Sequence, residues 1–262
     1  MSTQETRLAA GDAELIIDPD NGCRITGLRI GGTELLRQGE RYGCFPMVPW
    51  CGRIGHGRFL SGATPHQMPL NSPPHAIHGT GRDTAWHTAR AEKSEAAFTY
   101  DLAEPWPYQG RVTQGFGLTG DSLTLTMGIE TYSDSFPAQA GWHPWFLRNL
   151  GGEDVRIDFT PAWQEERGDD HLPTGRRTEP RPGPWDDCFG MPDGVDVTLT
   201  WPGQLELKVA SRAEWVVVYD EQTEAVCVEP QTGPPNGINT MPRYVTPIEP
   251  LETETTWTWR RL

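Results

Sequence analysis

Hydrophobic residues in this chain fall mostly at every second position. Leu123, Leu125, Met127 and Ile129 alternate with Thr124, Thr126, Gly128 and Glu130. Val195, Val197, Leu199 and Trp201 alternate with Asp196, Thr198 and Thr200, and Leu205, Leu207 and Val209 enclose Glu206 and Lys208. Residues 255–259 alternate again. Successive side chains of a strand point to opposite faces, so each run predicts a strand with one buried face. Two runs are continuous instead: Trp215-Val216-Val217-Val218-Tyr219 and Ala225-Val226-Cys227-Val228. They predict central strands covered on both sides. Helical periodicity is scarce. Residues 33–37 are expected to form one turn, and there is no amphipathic helix of useful length and no internal repeat.

The 29 Gly and 24 Pro punctuate the chain often, as many short strands and turns require. Together these features predict an all-β fold, a large antiparallel β-sandwich with few short helices. At 262 residues the chain suits one large all-β domain or two small ones. No flexible linker or charge block divides it, so residues 1–262 are read as a single domain. Residues 60–83 and 165–191 are rich in loop residues, and loops that long in a compact domain are usually functional or mobile.

Composition narrows the partners. Lys and Arg number 22 against 36 Asp and Glu, a net charge of −14. Phosphate backbones attract basic surfaces, so no nucleic-acid partner is expected. The same charge disfavours a sugar phosphate unless a local arginine pocket overrides it. The N-terminus has neither a basic start nor an apolar run, and no stretch approaches the roughly 18 apolar residues of a membrane span. Neither a signal peptide nor a membrane partner is therefore expected. Five scattered cysteines read as free thiols in a reducing cytoplasm.

Several familiar motifs lose their meaning in context. Gly115-Phe116-Gly117-Leu118-Thr119-Gly120 matches a dinucleotide fingerprint, but an alternating strand follows it, so it reads as a hairpin turn. His75 and His78 have helical metal-ligand spacing. Pro73-Pro74 before them and Gly79-Thr80-Gly81 after them place the pair in a loop, with no third zinc ligand at suitable spacing. No metal or cofactor is expected. His56, His66, His87 and His171 read as surface or hydrogen-bonded residues. There is no serine nucleophile elbow. Asp169-Asp170 sits in a polar loop, whereas Asp186-Asp187 lies between Trp185 and Phe189, where one carboxylate can face a ligand.

Three strings remain: Pro74-His75-Ala76-Ile77-His78-Gly79, Gly141-Trp142-His143-Pro144-Trp145-Phe146, and Val228-Glu229-Pro230-Gln231-Thr232. Taken singly, each is open to either a packing or a catalytic reading. Together, two imidazoles and a carboxylate supply what a reaction made only of proton transfers needs. Trp142 and Trp145 flank His143 and offer flat apolar faces of the kind sugars stack on. The expectation is an enzyme that opens and recloses a sugar ring.

From about Asn21 to its C-terminus the chain resembles the aldose 1-epimerases, or mutarotases, of the galactose-mutarotase-like β-sandwich superfamily. The resemblance rests on residues 21–28, on Phe45-Pro46-Met47-Val48-Pro49-Trp50-Cys51-Gly52-Arg53-Ile54, and on His78-Gly79. It continues through His143-Pro144-Trp145-Phe146, Asp186-Asp187-Cys188-Phe189 and residues 229–236, in the family's order. It implies Glu229 as general base and His143 as general acid, with His78 and Arg53 holding sugar oxygens and Asp186 binding substrate. Four positions depart from the family pattern. Gly52 stands where the family has Asn, Thr80 where it has Gly, Trp145 where it has Tyr, and Leu147 where it has Asn. These departures resemble a bacterial branch that includes mutarotases of modified sugars such as sulfoquinovose.

The implied chemistry is interconversion of the α and β anomers of a free aldohexose or modified hexose. A carboxylate and an imidazolium on opposite sides of the hemiacetal exchange protons with it and swap roles on reclosure. Burial raises the pKa of Glu229 and a nearby imidazolium lowers it, and sequence leaves the winner open. A hexose-6-phosphate 1-epimerase is one alternative, with Arg53, Arg58, Arg82 and Arg111 as candidate phosphate ligands. A non-catalytic carbohydrate-binding or sensing protein is another, and a glycosidase using Glu229 and Asp186 a third. The expected partner is a small sugar, and the expected state a monomer or homodimer.

Overall fold

The computed structural model describes residues 5–262. Two large antiparallel sheets lie face to face. One has twelve strands, with a central run of Cys44–Met47, Gly141–Pro144, Ala225–Gln231, Trp215–Tyr219, Asp186–Gly190 and Trp163–Arg167. The other has eight, centred on Gly110–Leu118, Ser122–Thr131, Leu251–Arg261 and Leu205–Ser211. The alternating runs form the eight-stranded sheet, and both continuous runs lie inside the twelve-stranded one. The expected all-β sandwich is what the chain builds.

One apolar core fills the space between the sheets. Leu123, Leu125, Val197, Leu207 and Trp257 meet Leu15, Val216, Val218, Val226 and Val228 there. Burying each such aliphatic side chain stabilises the fold by about 1.5–3 kcal/mol. Phe146 and Trp257 meet edge to face at 5.0 Å across the two sheets. The indole of Trp201 donates to the carbonyl of Leu147 at 2.9 Å.

Three local expectations change. Residues 33–37 form no helical turn. Thr33–Glu34 is a short strand paired with Arg24–Ile30, because Gly31 and Gly32 at positive φ turn the chain straight back. The stretch 60–83 contains most of the hairpin Arg58–Ser61/Thr64–Gln67. The stretch 165–191 contains the strands Pro173–Thr178 and Asp186–Gly190. Turn residues are dense in both, and they hid strands too short to show a period. The G-x-G-x-x-G string behaves as expected: Leu118 and Leu123 pair across the hairpin.

The twelve-stranded sheet is covered on its second face as well. Phe45, Met47 and Cys51 form a smaller apolar cluster there, with Trp145 against it. Loops close over this face and leave a cavity of about 200 Å³.

Candidate active site

Register and pleat decide which side chains enter the cavity. Within Ala225–Gln231, Val226 and Val228 belong to the main core. Period two turns Cys227 and Glu229 to the other face. Glu229 pairs with Val217, which pairs with Cys188, and all three line the cavity. On the next rung Tyr219 pairs with Asp186, and both line it too. The floor is thus a set of cross-strand rungs on three neighbouring strands.

Gly141–Pro144 is the adjoining strand. His143 opposes Phe45 across the ladder and turns toward the cavity, and Trp145 lies two residues on. The imidazole of His143 stacks on Phe45 at 4.6 Å and on Trp145 at 4.9 Å between ring centroids. It is held between two aromatic faces, so its orientation is set by packing. His78 meets it edge-on at 5.1 Å.

Trp142 does not border the site. It is 1% exposed and packs in the core between the sheets. The reason is the same pleat: on one strand Trp142 and His143 must face opposite ways, so only one of them can reach the cavity. Of the two, Trp145 lines the cavity.

Nε2 of His143 lies 3.2 Å from Oε1 of Glu229, and both side chains are buried. The expected acid and base therefore stand side by side on neighbouring strands, in direct contact. Burial pushes Glu229 well above the usual carboxylate range; Asp186 adds to this and Arg53 opposes it. Burial also lowers His143 to about 3, with Arg82 as the next cause. Desolvation thus outweighs the neighbouring charges, and the pair as a unit holds one proton. His78 is likewise pushed well below the ordinary imidazole range by burial, then by His143, Arg82 and Arg53.

Loops position the remaining groups. His78 has φ +65° and donates its backbone N–H to the carbonyl of Gly52 at 2.9 Å. Gly79 follows at φ +72° against Val48, where a Cβ would lie 2.0 Å from the Val48 carbonyl oxygen. Arg53 pairs with Ile77 through the backbone, and its carbonyl accepts from the Asn236 N–H at 2.7 Å. Its guanidinium makes no hydrogen bond or ion pair among the described residues and lines the cavity. Asp186 is ion-paired with Arg167, and both line the same wall.

Sequence reading brought Glu229, His143, His78, Arg53, Asp186 and Trp145 to one cavity, and missed others. Glu165, Arg167, Tyr219 and the exposed His171 also line it. Glu165 is buried and accepts from Trp163 and Arg177, each at 3.1 Å. Its alternation with Arg167 in Trp163–Arg167 was the available signal, masked by the loop assignment. Arg58, Arg82 and Arg111 do not line the cavity. Arg111 is paired with exposed Asp101 and Arg82 with Asp83. His75 serves structure: its Nδ1 accepts from the His56 N–H at 3.1 Å, and its Nε2 bonds the Asp170 carbonyl at 2.9 Å.

The site is thus a buried carboxylate–imidazole pair beside stacked aromatic rings in a two-sheet β-sandwich. The family model for aldose 1-epimerase matches residues 7–238, and the chain belongs to that family. An uncharacterised Escherichia coli K12 protein, YphB, is 31% identical over 148 residues, 53% of this chain and 50% of that protein. The match thus spans about half the length of that curated relative. A galactose mutarotase-like protein of Clostridium acetobutylicum superposes with a TM-score of 0.88 at 18% identity, covering 98% of this chain and 95% of its own. The galactose 1-epimerase of Lactobacillus acidophilus NCFM superposes with a TM-score of 0.80 at 16% identity, covering 97% and 92%. At these identities the two structures establish the shared fold.

Proposed function

We propose that the chain is an aldose 1-epimerase that interconverts the α and β anomers of a free aldohexose or modified hexose. The observation that carries this reading is the 3.2 Å contact between Glu229 and His143 in the lining of the cavity. The anomeric hydroxyl and the ring oxygen are bonded to the same carbon. Two groups a hydrogen bond apart on one wall therefore reach both.

In the forward step Glu229 takes the anomeric proton and His143 gives its proton to the ring oxygen. The bond between C1 and the ring oxygen breaks, and C1 becomes an aldehyde. Rotation about the C1–C2 bond presents the other carbonyl face. The ring oxygen then attacks C1, returns its proton to His143, and the new anomeric oxygen recovers a proton from Glu229. The enzyme ends with the proton count it began with. This cycle uses the ion-pair form of the couple, and the Arg53 charge draws Glu229 toward that form. Each positioned acid or base is worth about 10²–10⁴ in rate. Arg53, His78 and Asp186 hold sugar oxygens, and Trp145 covers an apolar face of the ring.

The cavity charges favour a neutral sugar over a phosphorylated one. Glu165, Asp186 and Asp187 face Arg53 and Arg167, and Arg167 is already paired. The test is anomer-exchange NMR on EDTA-treated enzyme with neutral, sulfonated and phosphorylated hexoses. Exchange faster than buffer for at least one neutral or sulfonated hexose is expected. No acceleration of any sugar, with binding intact, would favour the sensing role, and release of an aglycone from a glycoside would favour a hydrolase.

A further inference from the structure

One residue beside the proton-transferring pair has no part in the reaction above. Cys227 lies two residues before Glu229 on the same strand, faces the same side of the sheet, and is fully buried. A ring nitrogen of His143, Sγ of Cys227 and a carboxylate oxygen of Glu229 all lie within 4.8 Å of one another. Nδ1 of His143 has no hydrogen-bond partner among the described residues.

We infer that His143, Cys227 and Glu229 form a binding site for a thiophilic divalent cation, of which zinc is the physiological representative, and that its occupation switches the enzyme off. The inference rests in part on the proposed use of the pair in catalysis.

The donor set defines the class of metal. Imidazole, thiolate and carboxylate are the ligands of zinc, whereas magnesium and calcium take all-oxygen sets. Zinc bonds of about 2.0–2.3 Å require the three donors to draw in modestly from their present separations. Side-chain rotation of Glu229, already within 3.2 Å of the imidazole, goes in that direction. His143 and Glu229 line the cavity, from which water can supply a fourth ligand. A bound dication supplies the opposing charge, so both the thiol and the carboxyl give up their protons to solvent on binding. The bound metal then holds the lone pair of the imidazole and the charge of the carboxylate. Neither group can carry a proton to the sugar.

The experiment reads binding and activity separately. Metal-free enzyme is titrated with Cd²⁺, and the near-ultraviolet thiolate-to-metal absorption band is followed. Wild type is expected to develop the band to one equivalent. Cys227→Ser is expected to lose it, with Cys227→Ala as a second variant for so buried a position. Cys188→Ser, which changes the thiol lining the cavity, is expected to keep it. In the anomer-exchange assay Zn²⁺ should inhibit wild type reversibly by EDTA, and Cys227→Ser should need at least tenfold more Zn²⁺ for the same inhibition. A full band in Cys227→Ser, or its loss only in Cys188→Ser, overturns the site. Equal Zn²⁺ sensitivity in wild type and Cys227→Ser overturns the switch. If no sugar is turned over, the Cd²⁺ band still decides the site, and the failure then belongs to the proposed reaction.

Discussion

Glu229 and His143 show why a buried pair in contact is read as a unit. Burial moves both toward their neutral forms, in opposite directions on the pH scale. The acid limb of kcat/KM marks entry of a second proton into the pair, and the basic limb marks loss of the last. The acid limb should therefore fall well below the ordinary histidine range, leaving a broad plateau through neutral pH. An acid limb between pH 6 and 7 in a pH–rate profile would show that the pair is less desolvated than its burial indicates. Glu229→Gln keeps the shape and removes the base, so kcat should fall by about 10²-fold or more with sugar binding retained. His143→Asn should behave alike, and the double variant should lose less than the product of the two, because the groups act together. Isothermal titration alongside single-turnover exchange separates binding from chemistry.

The two tryptophans offer a second contrast at this scale. Trp142→Ala empties a core position and should destabilise the fold by about 3–5 kcal/mol in a urea titration. Trp145→Ala should leave stability closer to wild type, raise KM and abolish the change in tryptophan fluorescence on sugar binding. If Trp142→Ala alone removed the fluorescence response, the assignment of the two faces would be reversed.

At the level of elements, strands set the pair and loops set its surroundings. Glu229 and His143 stand on central strands whose ladders run through the middle of the sheet. His78 hangs on a turn that depends on Gly79. A side chain at that φ costs about 1–2 kcal/mol, and its Cβ would meet the Val48 carbonyl at 2.0 Å. Gly79→Ala is therefore expected to lower stability by at least that amount and to raise KM through displacement of His78, as urea titration and sugar kinetics would read. Gly52 has its own partner: a Cβ there would lie 2.9 Å from Cβ of Pro235. Gly52 thus permits close approach of the 234–236 loop, whose Asn236 side chain accepts from Gly55 N–H at 3.1 Å.

For the molecule as a whole, the buried pair ties stability to pH. The folded pair holds one proton. Unfolded, it holds two below pH 4.5, one between 4.5 and 6.5, and none above. Its contribution is therefore level across that middle window and declines on both sides. Glu229 alone has a raised folded pKa, so its contribution is lost as pH climbs above 4.5. Glu229→Gln should accordingly gain stability relative to wild type as pH rises from about 5 to 8, by up to about 1.4 kcal/mol per pH unit. Denaturant titrations at stepped pH measure this difference, and a constant gap between the two proteins would mean that Glu229 titrates near its ordinary value in the fold.

Period-two alternation in residues 122–131, 195–201 and 205–211 was enough to determine the all-β architecture, because a half-buried strand cannot be written in any other pattern. The candidate site residues were also legible, since His78, His143 and Glu229 sit in strings whose Gly, Pro and aromatic neighbours mark enclosed backbone. Pleat could have separated Trp142 from Trp145, as Trp142 is adjacent to His143 on its strand and must face the opposite way, whereas Trp145 lies two residues on, just past the strand Gly141–Pro144. Other features depended on distance in space. The direct contact of Glu229 with His143 joins residues 86 positions apart in the chain through the pairing of two strands. The clamp of Phe45 on the imidazole and the approach of Cys227 to His143 arise in the same way. Arg167 and Glu165 were hidden in a stretch whose strands are short and irregular in register. Local sequence determines which face a side chain takes on its own strand. Only the folding of distant strands into one sheet decides which side chains meet on that face, and the desolvation that follows sets their charge.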